Sequence, residues 1–217
     1  MKNIQSIFSV PIYKAKLNLD VKILKSFCKD YQQKENKGRE ISNVGGYQSS
    51  YLDLKNTHLQ FFIKEIEKHA TLFSRKFINR HKQSMRHLWF NVNKYNDYNS
   101  SHDHPGCTIA GTYYIKTPKN CGEIIFEHPA QGTLKHYNRL YFDYDECNPY
   151  NSEAWSKEPI EDMLYLFPSY LYHSVSPNEN KKEERISVSF NMVQEEYKPK
   201  TTSTLIKDII TSVENRV

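Results

Sequence analysis

Long apolar runs are missing from this chain of 217 residues. No stretch of 18 consecutive apolar residues exists, which excludes a membrane-spanning helix of ordinary length. The opening stretch "MKNIQSIFSVPIYKAKL" carries no apolar block ahead of a small-residue cleavage site, so no secretory leader is expected. Cysteine is scarce. Cys28, Cys107, Cys121 and Cys147 show no C-x-x-C spacing, and the expectation is reduced thiols in a cytoplasmic protein. Internal repeats and low-complexity linkers are also absent. The net charge is +5, but the lysines are spread along the chain and the basic runs "ENKKEER" and "YKPK" are short. Such a pattern reads as a solvated surface. Nucleic acid is the less favoured partner, for want of a dense basic patch.

What is present suits one soluble domain with a core of its own. "SIFSVPIYKAKL" reads as an opening strand and residues 19–34 as a helix. A polar, turn-rich stretch follows. The clearest helix is then "THLQFFIKEIEKHATLFSRKFINRH", where Leu59, Phe62, Ile63, Ile66, Ala70, Phe73 and Phe77 share one face. From Arg86 the texture changes. "RHLWFNVNKY", "CTIAGTYYIK", "GEIIFEH", "DMLYLFPSYLYHSV" and "RISVSFNMV" are short, rich in β-branched and aromatic residues, and separated by turn signals. The pattern predicts a mainly β fold with flanking helices, a sandwich or barrel on which the N-terminal helices pack. The expected organisation is a strand and supporting helices over 1–84, the β core over 85–195 and a C-terminal helix over 196–217. Within the core, about 129–160 is expected to be a long polar-aromatic lid.

"YNSSHDHPG" raises the question of a metal site. In an extended segment residues i and i+2 share a face, so His102 and His104 can reach one ion while Asp103 points away. His173, behind the hydrophobic stretch "LFPSYLY", is the best third ligand. Three such donors on one side of an ion leave the opposite positions open, as iron(II) needs when it must take a cosubstrate and oxygen. An H-x-H pair alone is weak evidence, and a surface pair is the plainer reading. Arg185 changes the balance. It opens a strictly alternating strand, with Ile186, Val188, Phe190 and Met192 on one face and Arg185, Ser187, Ser189 and Asn191 on the other. Either the polar face is wet, or it lines a barrel mouth where a guanidinium fork and the Ser187 hydroxyl meet a carboxylate.

"HDH", "FPSYLYH" and "RIS" together resemble the iron(II)/2-oxoglutarate-dependent oxygenase superfamily. More closely, residues 85–195 resemble a little-characterised family of 2-oxoglutarate oxygenases with an H-x-H-P-G motif. The resemblance implies a double-stranded β-helix, a cupin-like jelly-roll barrel supported by N-terminal helices. It also implies iron(II), 2-oxoglutarate and O2, with ascorbate as a stimulant. The reaction would be hydroxylation of a protein residue or small molecule with release of succinate and CO2. His102 and His173 fall on the first and distal ligand positions. His104 stands where a carboxylate is usual, and Asp103 is the alternative second ligand. Arg185 with Ser187 would grip the cosubstrate's far carboxylate. Tyr114 resembles a tyrosine that meets the same carboxylate in prolyl hydroxylases. Asn93 and Tyr95 resemble the N-x-Y of AlkB-type demethylases, and Asn91 and Asn191 are further candidates for cosubstrate contact. Three neutral imidazoles would leave the site at +2, matched to a dianion. Two rivals remain open: a three-histidine cupin-like metalloenzyme that does not use 2-oxoglutarate, and a non-catalytic binding module on the same barrel. The oligomeric state, monomer or homodimer, is open too.

Overall fold

The computed structural model describes residues 7–35, 37–77, 81–141 and 148–195. The expected C-terminal helix over 196–217 lies outside the described residues, as does the side chain of Phe77. In chain order the elements are β1 (Tyr13–Lys16), α1 (Val21–Glu35), β2 (Asn43–Val44), β3 (Tyr47–Gln48) and α2 (Gln60–Phe77). They continue as β4 (Gln83–Asn93), β5 (Tyr98–His102), β6 (Ile109–Lys116), β7 (Ile124–Glu127) and α3 (Gln131–Tyr141). The last four are β8 (Ala154–Lys157), β9 (Met163–Pro168), β10 (His173–Val175) and β11 (Arg185–Gln194).

The strands form two antiparallel sheets, one in the order β1-β9-β6-β11-β4-β3 and the other β2-β5-β10-β7-β8. This is the double-stranded β-helix. Its long central strand, β11, pairs with β4 on one side and β6 on the other. A strand flanked on both sides can place alternate residues on two buried surfaces. Ile186, Val188, Phe190 and Met192 face outward into the main core, joined there by Leu88, Phe90, Tyr113 and Leu164. The apolar stripe of α2 covers that face, with Leu59, Phe62, Ile63, Ile66, Ala70 and Phe73 all buried in the same cluster. Helix α1 adds Leu24 and Cys28. The opposite face of β11 turns inward, and Arg185 and Ser187 are buried there as well. A wet outer face is therefore ruled out for this strand. Among the described residues, no helix is long and apolar enough to cross a membrane.

The N-terminal layer is tied to the barrel by Asp162. Its carboxylate accepts hydrogen bonds from the Asn18 and Leu19 N–H groups at 2.8 and 3.0 Å and from the Tyr113 hydroxyl at 2.7 Å. It does so from a left-handed backbone position, φ 63°, where aspartate and asparagine are tolerated and alanine is strained by about 1 kcal/mol. Asp162→Ala should lower unfolding stability by about 3 kcal/mol, since donors that lose an ionised acceptor inside the protein stay unpaired. Urea unfolding of the variant beside Asp162→Asn, which keeps one acceptor and the backbone tolerance, checks this. Asn should cost clearly less.

Candidate metal centre

His102 ends β5 and His173 begins β10, and the two are direct partners in the ladder between those strands. His104 follows two residues after β5 ends, with its backbone N–H bonded to Ser169 O at 2.9 Å. The three rings converge. One ring nitrogen from each lies within 4.8 Å of the others, and the Nε2 atoms of His104 and His173 are 3.4 Å apart. That is close to the edge of about 3 Å expected between neighbouring nitrogens bound to one ion. Asp103 is not in this group.

Two of the rings are oriented by the same local device. His102 Nδ1 meets Ser100 O at 2.8 Å, and His173 Nδ1 meets Leu171 O at 2.9 Å. A carbonyl can only accept, so each Nδ1 carries the proton and each Nε2 presents a lone pair. Phe167 packs edge-on against His173, with ring centroids 4.6 Å apart, and Trp89 lies 6.0 Å from His104. Burial in these surroundings lowers all three imidazoles, with the neighbouring rings adding to the effect on His104 and His173. His104 and His173 fall from 6.5 to about 3. Near neutral pH the cluster is thus uncharged, the form that binds a metal. The donor set fits a metal ion: nitrogen ligands, pre-oriented lone pairs and a dry apolar wall.

Arg185 lines the same cavity. It is 2% exposed, and its Nη1 donates to Cys121 O at 2.7 Å and to Gly122 O at 3.4 Å. Gly122 is required there. It holds φ +85°, and a Cβ would come 2.2 Å from Ser176 O and 3.0 Å from Arg185 Nη1. No carboxylate among the described residues pairs with Arg185. Burial lowers the guanidinium from its usual value, yet it stays cationic. A lone cation in such a place is costly unless a ligand anion neutralises it.

The cavity is narrow, about 50 Å³, room for a few atoms beyond the size of one water. His102, His104, His173, Arg185, Ser187, Tyr114 and Asn91 line it together. Tyr114 is held above the usual phenol range by burial, with Arg185 opposing. Asn91 donates through Nδ2 to Ser189 Oγ, and its Oδ1 is buried without a protein partner. Three expected residues stand elsewhere. Asn93 pairs with Arg185 across the ladder but is outside the lining. Tyr95 is 44% exposed, beneath the Lys181 ammonium. Asn191 sits at the far end of β11, opposite His87 and Ala110. Gln48, Asn99 and Trp89 line the cavity without having been singled out. Trp89 was reachable from the alternation of β4, which puts it on the face of Asn91. Gln48 comes from a two-residue strand with no periodic signal.

A double-stranded β-helix with a histidine triad and a buried arginine in one cavity is the frame of a metal-dependent oxygenase. Residues 87–191 match the family model described as "Putative 2OG-Fe(II) oxygenase". That stretch holds the triad, Arg185 and Ser187. Among curated proteins no match is found. Solved structures share the fold. A Pseudomonas putida prolyl-4-hydroxylase superposes with TM-score 0.61 at 11% identity, covering 87% of this chain and 95% of its own. The alpha-ketoglutarate-dependent carbocyclase of nogalamycin biosynthesis gives 0.62 at 10%, covering 92% and 86%. The collagen prolyl hydroxylase of Paramecium bursaria Chlorella virus-1, solved with 2OG, gives 0.52 at 13%, covering 84% and 96%.

The depressed imidazoles have a consequence for acid stability. Between about 3 and 6.5 the unfolded chain binds protons that folded His104 and His173 do not, so stability rises with pH through that window. Chelator-treated protein should lose stability as pH falls below 6.5 toward 3. The double variant His104→Gln, His173→Gln should show a shallower dependence when thermal midpoints are compared across that range.

Proposed function

We propose that this chain is an iron(II)- and 2-oxoglutarate-dependent dioxygenase that hydroxylates a small molecule or a protein residue. The observation that carries the reading is Arg185: a buried cation with no ion-pair partner among the described residues, lining the cavity that the three imidazoles also line. His102, His104 and His173 would hold the iron. His104 is preferred to Asp103 because its Nε2 is the one near His173. Arg185, Ser187 and Tyr114 would hold the far carboxylate of 2-oxoglutarate, with Asn91 Oδ1 an acceptor beside it. Iron(II) with 2-oxoglutarate and O2 supplies oxidative decarboxylation to succinate and CO2, coupled to hydroxylation of a C–H bond.

The chain's own part is positional. The carbonyls of Ser100 and Leu171 set the imidazole tautomers. Trp89 and Phe167 keep water from the ligating nitrogens. Arg185 would supply a fixed charge in the cavity, so that a five-carbon dicarboxylate held by it turns its other end toward the histidines. The free thiols of Cys28, Cys107 and Cys121 fit a cytoplasmic setting.

A cupin enzyme that does not use 2-oxoglutarate has no use for this guanidinium, and succinate release separates the oxygenase from a module that only binds. Removing one partner of a buried charge pair costs about 2–5 kcal/mol. Arg185→Met should therefore weaken 2-oxoglutarate binding by about 30-fold or more, while Arg185→Lys should retain part of it. Titration calorimetry on Mn(II)-loaded protein measures both. Wild-type protein should also release succinate slowly from 2-oxoglutarate with iron and ascorbate. Undiminished binding by a folded Arg185→Met protein would refute the reading.

A further inference from the structure

A second cavity lies beside the metal centre. It is the larger of the two, about 600 Å³ against about 50 Å³, a size that suits a small organic ligand. Its walls come from four parts of the chain: the segment before β1 (Phe8, Val10, Ile12), the end of β7 (Phe126, Glu127), the stretch into β8 (Tyr150, Ser152, Trp155), and Leu171 before β10.

Two of its lining residues also touch the triad. Phe126 is the ladder partner of His173 and its ring lies 6.3 Å from that imidazole. Leu171, which closes the cavity on the other side, provides the carbonyl that orients His173. Glu127 accepts a hydrogen bond from Ser101, the neighbour of His102. The cavity therefore abuts the histidine cluster across one layer of side chains.

Its polarity is specific. Most of the wall is aliphatic or aromatic, and Phe8 is 96% exposed at its rim, a large apolar surface that a bound ring would cover. Ser152 is 9% exposed, and its hydroxyl is buried without any partner. A hydroxyl left unpaired in an apolar wall is an unmade hydrogen bond, available to a ligand. Glu127 is the carboxylate of the described lining, and His128 follows it. A ligand with an acidic group would meet the Glu127 carboxylate there.

We propose that this cavity is a binding site for an apolar, ring-bearing small molecule without an acidic group, which hydrogen-bonds to Ser152 and Glu127 beside the histidine cluster. The assignment rests on the cavity's own chemistry and not on the oxygenase reading. Indole, neutral with one N–H donor, is the probe, and indole-3-acetate is its acidic counterpart.

Ligand-observed NMR on the full chain measures both, and 2-oxoglutarate binding is followed in the same samples. Wild-type protein should bind indole about tenfold more tightly than indole-3-acetate. Ala154→Trp, on the exposed strand β8, should fill the cavity and weaken indole about tenfold or more. Ser152→Val should weaken it less. Both variants should keep 2-oxoglutarate binding. With Mn(II) at the histidines, bound indole protons should relax faster through proximity to the ion. Equal binding of the two probes, or full indole binding by a folded Ala154→Trp protein, overturns the assignment even if 2-oxoglutarate binds normally. Loss of the oxygenase reading has a different signature: 2-oxoglutarate binding that ignores Arg185→Met, with the indole results unchanged.

Discussion

The structure is organised around a guanidinium held out of water. Desolvating a cation is expensive, and the protein offsets only part of that cost with the carbonyls of Cys121 and Gly122. That partial compensation demands a tight local fold. Gly122 takes a left-handed conformation because any Cβ there would strike Ser176 O. The rest of the demand is met by topology: β11 lies between β4 and β6, and Arg185, Ser187 and Asn191 on its polar face are buried inside the barrel. A charge left incompletely neutralised there favours an anionic partner.

The metal centre follows a different economy. Here the protein removes charge. Burial keeps the imidazoles neutral, and the backbone two residues before His102 and before His173 takes up the Nδ1 proton of each. Both groups thus use carbonyl oxygens, at Arg185 to hold a cation and at the imidazoles to set a tautomer. In the same lining Tyr114, Ser187 and Asn91 present hydroxyls and an unpaired amide oxygen.

Much of this was legible before the fold was known, for physical reasons that differ from residue to residue. Alternation in β11 was strict because one face packs on α2 and the other lines a cavity, so both faces were under constraint. The apolar stripe of α2 was visible because a long helix on a sheet must repeat its contacts every turn. The short strands β2, β3 and β8 were not legible. Two to four residues carry no period, and they form because an existing edge offers unpaired backbone groups. The stretch from 129 to 160 read as an extended lid, yet it contains α3 and β8. Its polar and aromatic residues blurred the helical spacing. Asn93 and Tyr95 show the converse. Asn93 pairs with Arg185 in the ladder, but the chain turns after β4, leaving Tyr95 in solvent and Asn93 outside the lining.

By itself the sequence determined the chemical parts: three imidazoles, an arginine opening an alternating strand, and a stripe that required a sheet to cover. Residue type and period are local properties, and they are written directly in the order of side chains. Only the tertiary structure decided which parts meet. The pairing of His173 with His102 across 71 positions and the sealing of Arg185 behind Gly122 depend on strand order. So does the second cavity, assembled from segments 7–12, 126–129, 149–155 and Leu171. Strand order is settled by the packing of the whole barrel, and no short window of residues contains it.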